Sequence, residues 1–233
     1  MAFPRRVEPE WLDNLPDEDP DAAASRRDLR RLNSLMCHAT ILARILRGEP
    51  NSAKPRSLLD IGSGDGTFML ALARKLAKHM PGAAVTMVDK NTRISDETRG
   101  HFSALGWKVV SVKADVLDYL DNADAAGTDA VIANLFLHHF SDAALTRLFS
   151  RAAAVAPLFA ACEPLRAWFP MAASRLLWTI GCNKVTQHDA SASVRAGFRD
   201  KELSLLWPED RRWQIAERRA GPFSHCFVAR HVS

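Results

Sequence analysis

Apolar residues recur along this chain at two different spacings. Between residues 25 and 48, from Leu29 to Leu46, they follow the three- and four-residue spacing of a helix. Short apolar runs then alternate with helical stretches. Strands are predicted at 57–61, 85–88, 108–112, 130–133 and 158–162, and helices at about 67–80, 94–105 and 142–155. This alternation predicts βαβ units and a mainly parallel sheet.

The last third of the chain departs from this rhythm. Helices are predicted at 168–180 and about 190–206, joined by the polar segment 182–189, and two closing strands at 213–216 and 223–229. The two closing strands predict an antiparallel ending. The domain prediction is therefore a flexible N-terminal arm at 1–24 and a single domain at 25–233. Within that domain, 25–48 form an N-terminal helix and 164–208 a helical cap insertion.

Composition narrows the class of protein. The chain has 233 residues, of which 47% are hydrophobic and 25% charged, as in ordinary globular proteins. The formal net charge is +4. A basic balance can indicate a nucleic-acid partner, but an arginine-rich composition explains it equally simply and is the favoured interpretation. The four cysteines form no C-x-x-C pair, so no metal site is predicted.

The ends and the longest apolar run bear on location. No secretory signal is visible at the N-terminus. The longest apolar stretch, 152–162, is too short to cross a bilayer. A cytoplasmic protein without a membrane span is expected.

The strongest motif is a glycine loop after the first predicted strand. Gly62, Gly64 and Gly66 allow a sharp turn from strand to helix and a close approach by a ligand. The spacing is neither G-x-G-x-x-G nor a Walker loop. Asp89 ends the next strand, where a carboxylate can accept hydrogen bonds from both hydroxyls of a ribose. The pair therefore indicates a nucleoside-containing cofactor.

The set of motifs at the strand ends resembles the class I S-adenosylmethionine-dependent methyltransferases. It comprises 59–66 (LDIGSGDG), Val88-Asp89, 114–116 (ADV) and 134–140 (NLFLHHF), and the resemblance covers about 55–163. It implies a Rossmann-like, doubly wound α/β fold with a seven-stranded sheet, mostly parallel with the last strand antiparallel. It also implies S-adenosylmethionine as the cofactor and makes the helix at 25–48 a lid.

The resemblance further assigns roles around the cofactor. It puts Asp60 and the glycine loop near the methionine part, Asp89 at the ribose, Asp115 with Val116 at the adenine, and Asn134 beside the sulfonium. The cofactor-binding residues implied are Asp60, Gly62, Ser63, Gly64, Gly66, Asp89, Lys90, Asp115, Val116, Asn134 and Leu135.

The acceptor is expected to be a small molecule. Asn134 is not followed by Pro-Pro-aromatic, and the motif resembles the branch that methylates quinones, phenols and polyketides. Segment 193–199, with Cys182-Asn183, is similar to methyltransferases associated with type III polyketide synthases. Histidine is the usual base at neutral pH, so the candidate catalytic residues are His138, His139 and His188. The candidate acceptor-binding residues are Trp168, Met171, Arg175, Asn183 and Arg195.

Two other functions stay open at this point. The basic body allows an RNA methyltransferase, although no added binding domain or continuous basic face is evident, which argues against a nucleic-acid partner. A non-catalytic S-adenosylmethionine-binding protein of the same fold is also possible, because binding motifs do not prove turnover. The oligomeric state is left open.

Overall fold

A computed structural model describes residues 3–16, 18–48, 54–92, 94–122 and 127–232. One sheet contains seven strands in the order β3-β2-β1-β4-β5-β7-β6. The strands are β1 Ser57–Ile61, β2 Ala84–Asp89, β3 Lys108–Lys113, β4 Ala130–Asn134, β5 Leu158–Pro164, β6 Trp213–Arg219 and β7 Ser224–His231. β1 to β5 pair in parallel, and β7 is antiparallel to both β5 and β6. The predicted fold class is confirmed.

Helices cover both faces of this sheet. They are α1 Pro20–Leu35, α2 His38–Arg47, α3 Thr67–Leu76, α4 Asp96–Ala104, α5 Val116–Asn122, α6 Asp142–Val155, α7 Trp168–Arg175 and α8 Lys184–Ala196. One apolar cluster packs Leu42, Leu72 and Phe102 on one face of the sheet, and another packs Phe149 on Phe159 on the other face. The strands are thereby held with the carboxyl ends of β1, β2, β4 and β5 at one edge. No helix in the described part of the chain is long and apolar enough to cross a membrane.

The N-terminal helix predicted at 25–48 is two helices. α1 begins earlier, at Pro20, because the side chain of Asp19 accepts hydrogen bonds from the first backbone N–H groups. Between α1 and α2 the chain breaks at Met36 and Cys37, where Cys37 has a left-handed φ of 57°. Apolar spacing continues across this break, so periodicity alone did not reveal it.

The cap insertion also differs from the prediction in detail. α7 ends at Arg175 and is followed by a 3-10 turn at Leu177–Ile180. The segment predicted as a polar connector, 182–189, lies mostly in α8. That helix begins at Lys184 because the side chain of Asn183 accepts a hydrogen bond from the Thr186 N–H at 2.9 Å. A cap residue, rather than apolar periodicity, sets this helix start.

The segment predicted as a flexible arm lies against the cap where it is described. Arg5 donates to the carbonyl oxygens of Ala196 and Phe140 at 2.8 and 2.7 Å. The backbone N–H groups of Trp11 and Leu12 donate to the buried carboxylate of Asp189. Residues 1, 2 and 17 of the arm lie outside the described residues. The arm thus joins the walls of the site rather than trailing from it.

Candidate functional site

The glycine loop joins β1 to α3 at the carboxyl edge of the sheet. The Gly62 N–H donates to the carbonyl of Val88 on β2 at 2.9 Å. Gly62 has a φ of +73°, and a Cβ there would lie 2.1 Å from a ring carbon of Phe136, so only glycine fits. The Gly64 N–H donates to Asp89 at 2.9 Å. The loop is therefore fixed to the end of β2.

A buried acid lies beneath this loop. Asp60 is 2% exposed, and its Oδ2 has no hydrogen-bond partner in the described structure. Burial and the nearby charge of Asp89 raise the pKa of Asp60 to about 8. The buried Ser63 hydroxyl also has no hydrogen-bond partner among the residues that the structure describes. Since buried polar atoms are normally paired, both oxygens suit a ligand with a cationic donor such as the ammonium of S-adenosylmethionine.

The two acids expected at the ribose and at the adenine, Asp89 and Asp115, lie in different surroundings. Asp89 is half-buried, faces the cavity and accepts the Asn91 N–H at 2.7 Å. Asp115 pairs with Lys90 at 2.8 Å, which lowers the pKa of Asp115, and it accepts the Leu117 N–H at the start of α5.

Several residues expected at the cofactor stand back from the cavity. Val116 packs in the core. Asp60, Gly66, Lys90, Asp115 and Val116 are not among the described residues that line the cavity, so their cofactor contacts stay a prediction.

The end of β4 is connected to α2 by a histidine. His38 on α2 lies between Asn134 and Ser224, with its ring nitrogens 2.7 Å from the Asn134 side-chain oxygen and 2.6 Å from the Ser224 hydroxyl. Burial lowers the pKa of His38, so a neutral ring is expected. Leu135 follows with a left-handed φ of 51°, which is strained for leucine. The His38 contact fixes the Asn134 side chain, and the left-handed backbone at Leu135 turns the chain along the cavity wall.

His138 is held in a buried charged network. It is 3% exposed, and its Nδ1 lies 2.7 Å from Glu163, which also accepts the backbone N–H groups of 136–138. Its Nε2 lies 3.5 Å from Glu10. Burial alone would lower the pKa of His138, but Glu10 and Glu163 reverse the effect and raise it to about 9. Burial would raise the pKa of Glu10, yet His138 lowers it to about 2. The ring is therefore cationic at neutral pH.

The other two candidate histidines lie in different surroundings. His139 faces the cavity, and burial together with the charge of His138 lowers its pKa to about 4. His139 therefore presents a neutral imidazole. His188 instead stacks on Trp11 with ring centroids 3.9 Å apart and bonds Asp189 at 2.8 Å. His188 lies outside the described cavity lining, and the structure does not bring it together with His138 and His139.

One cavity of about 590 Å³ joins these parts. Its volume falls in the range of small-molecule sites, about 300–1,000 Å³. The glycine loop, Asp89 and the end of β4 form one side, and α1 and the arm form another. The cap contributes one face of α7 and its following turn and one face of α8. The cap residues on this face are Pro170, Ala173, Ser174, Leu177, Ile180, Ala190, Ser193 and Val194.

The acceptor-binding residues predicted from sequence lie elsewhere. Trp168 and Arg175 are on the exposed side of α7, and Met171 is buried behind the lining face. The Asn183 side chain caps α8 and donates a hydrogen bond to the Asp21 carbonyl. Arg195 forms an ion pair with Glu8 at 2.8 Å. Their absence from the described cavity lining has a simple cause: residues of one helix point to different sides, and composition marks the helix but not the side.

Two important residues were missed in the sequence. Glu163 is the next-to-last residue of β5 and lies near its carboxyl end, as Asp89 and Asn134 do on their strands, but the predicted strand stopped at Cys162, so this signal was overlooked. Glu10 lies in the arm. Its carboxylate pairs with His138 and accepts a hydrogen bond from the Ser193 hydroxyl. No local pattern marks Glu10, since its role depends on where the arm folds.

Comparisons with known proteins agree with this geometry. Residues 58–156 match the family model of a methyltransferase domain. A search of curated proteins returned no match. Among solved structures, the plantazolicin methyltransferase BpumL with a monoazolic desmethylPZN analog and SAH (S-adenosylhomocysteine) has a TM-score of 0.65 at 13% identity, covering 95% of this chain and 92% of that chain.

Two further structures are similar. BamL, also a plantazolicin methyltransferase with SAH, has a TM-score of 0.64 at 10% identity, covering 91% of both chains. Magnesium protoporphyrin IX methyltransferase from Synechocystis PCC 6803, with bound SAH, has 0.52 at 13%, covering 94% of this chain and 90% of that one. These identities show the fold. The matched region and the sheet order agree with this: residues 58–156 are a methyltransferase domain, and the chain has the fold of the class I S-adenosylmethionine-dependent methyltransferases.

Proposed function

We propose that this methyltransferase binds S-adenosylmethionine between the glycine loop and α1, and methylates an oxygen or carbon of a small phenolic, polyketide or quinone-like acceptor. The observation that carries the proposal is the cavity itself. Acids and a glycine loop line one end, and a mostly apolar cap face lines the other. Such a division suits a cationic cofactor beside an apolar acceptor.

The cofactor end has its own support. Asp60 and Ser63 offer unpartnered oxygens under and within the loop, and Asp89 faces the cavity. When bound, the cofactor supplies an electrophilic methyl group on its sulfonium. Arg30 on α1 pairs with Asp65 of the loop at 3.3 Å, which brings the lid over this end. Excluding water and fixing the reactants is the main contribution expected of the protein, worth ~7–11 kcal/mol for well-aligned groups.

The acceptor end favours a weakly acidic hydroxyl. During O-methylation the acceptor oxygen loses its proton and bonds the methyl carbon, while the carbon–sulfur bond breaks. His139 is the neutral imidazole at the cavity and can accept a hydrogen bond from that hydroxyl. His138 already holds its proton between the carboxylates of Glu10 and Glu163, so it cannot act as the base. Its role is to place a positive charge at the cavity wall.

The proposal is tested by transfer of a labelled methyl group from S-adenosylmethionine to a panel of phenols, quinols and polyketide-like aromatics. Two neighbouring alanines on α7 give a matched pair, because Ala173 lines the cavity and Ala172 is exposed. Ala173→Trp should lower transfer at least tenfold with S-adenosylhomocysteine binding retained, and Ala172→Trp should leave both unchanged. Equal transfer by the two variants, or no transfer to any acceptor, would contradict the acceptor assignment.

A further inference from the structure

Three side chains at the cavity wall bring nitrogen and oxygen ligands together. One ligand atom from each of Glu10, His138 and His139 lies within 4.8 Å of the others. All three residues line the cavity. Two imidazoles and one carboxylate are a common ligand set for zinc in catalytic sites, where a fourth position stays open.

The spacing between His138 and Glu10 fits a shared metal ion as well as a direct ion pair. The Nε2 of His138 and the Oε1 of Glu10 are 3.5 Å apart, and this nitrogen has no hydrogen-bond partner among the described residues although His138 is only 3% exposed. Two ligands bound at 2.0–2.1 Å in a tetrahedron are about 3.4 Å apart. A buried nitrogen facing a carboxylate at this separation is therefore aimed at a position that a cation can fill.

A second layer of residues orients the ligands. Glu163 bonds the Nδ1 of His138 at 2.7 Å, which directs the Nε2 lone pair toward Glu10 when the proton is displaced. The Ser193 hydroxyl donates to Glu10 and fixes that carboxylate. Carboxylate–histidine–metal arrangements of this kind accompany most metal-bound histidines.

We propose that Glu10, His138 and His139 form a site for a divalent transition-metal ion such as Zn²⁺, with its open position facing the cavity. The N-terminal arm supplies one ligand, so the ion would also fasten the arm to the end of β4. If methyl transfer to a hydroxyl occurs as proposed above, a bound ion would replace His139 in activating the acceptor. The ion would bind the acceptor oxygen and lower its pKa, so that the proton leaves to solvent before the oxygen attacks.

The test uses untagged full-length protein freed of metal and titrated with Co²⁺, followed by its visible absorption, and then with Zn²⁺ in competition. One ion per chain is expected, with four- or five-coordinate absorption that Zn²⁺ removes. His139→Ala and Glu10→Gln should each weaken binding at least tenfold. The exposed His79→Ala serves as the control and should bind as the native chain does. Glu10→Gln lies in the arm, so it tests the site even if His139→Ala folds poorly.

The outcomes separate this site from the proposed function. Absence of binding tighter than millimolar, or binding that neither variant weakens, would overturn the metal site, whatever the labelled-methyl assay shows. Stoichiometric binding with methyl transfer unchanged by metal removal would keep the site and overturn its role in acceptor activation. Loss of transfer on metal removal, restored by Zn²⁺ in the native chain and in His79→Ala but not in the two site variants, would support both.

Discussion

Asp60→Asn should make the ligand-free protein more stable at neutral pH while weakening cofactor binding. The carboxyl of Asp60 is buried beneath the glycine loop with one oxygen unpartnered. Burial and the charge of Asp89 raise its pKa to about 8. An amide is close in shape to the neutral acid and cannot ionise, so the variant removes the cost of keeping an acid in this position.

The pKa gives the magnitude. In the unfolded chain an aspartate has a pKa of about 3.9. Between that value and about 8 the folded state holds a proton that the unfolded state has released. The free energy of unfolding therefore falls as pH rises, by about 1.4 kcal/mol per pH unit from this group. Relative to native, Asp60→Asn should gain that amount for each unit between about pH 5 and 7.

Urea unfolding without ligand at pH 5, 6 and 7 measures this difference. Asp96→Asn, at the exposed start of α4, is a matched control that removes a carboxylate from the surface. Calorimetry with S-adenosylhomocysteine should show at least tenfold weaker binding by Asp60→Asn. A difference in unfolding free energy that stays constant with pH, or falls as pH rises, would refute the argument that Asp60 is held neutral by burial.

Two further changes test other parts of the site. Gly64→Ala should lower the free energy of unfolding by about 1 kcal/mol, because its backbone is left-handed but the space around it is open. Gly62→Ala should lower it by about 2–4 kcal/mol, because the new Cβ also meets Phe136. Thermal unfolding compares the two variants, and equal losses would contradict the role given to Phe136. Asp189→Ala removes the acceptor for two arm N–H groups, so limited proteolysis should cut the arm, near Trp11, several-fold faster, and an unchanged rate would show that other contacts hold it.

The strand-end motifs were predictable because they are local. A strand, a glycine turn and a following acid each leave a short pattern, and a parallel sheet brings their carboxyl ends together. The parallel pairing of the first five strands and the positions of Gly62, Asp89 and Asn134 follow from these patterns, whereas the seven-stranded sheet was implied by the family resemblance.

The acceptor wall was not predictable in the same way. Which side of α7 faces the cavity depends on how the cap packs on the sheet. The sequence therefore predicted Trp168 at the acceptor, whereas Trp168 is exposed and Ala173 lines the cavity. Glu10 joins His138 through a contact between segments far apart in the chain, for which no spacing rule exists.

Binding of S-adenosylhomocysteine to the native chain and to Asp89→Ala, measured by calorimetry, tests the cofactor site most directly. Asp89 faces the cavity and fixes Gly64 of the loop. We predict one site per native chain and at least tenfold weaker binding by the variant. No binding by the native chain, or equal binding by both proteins, would contradict a cofactor site built on the glycine loop and the end of β2.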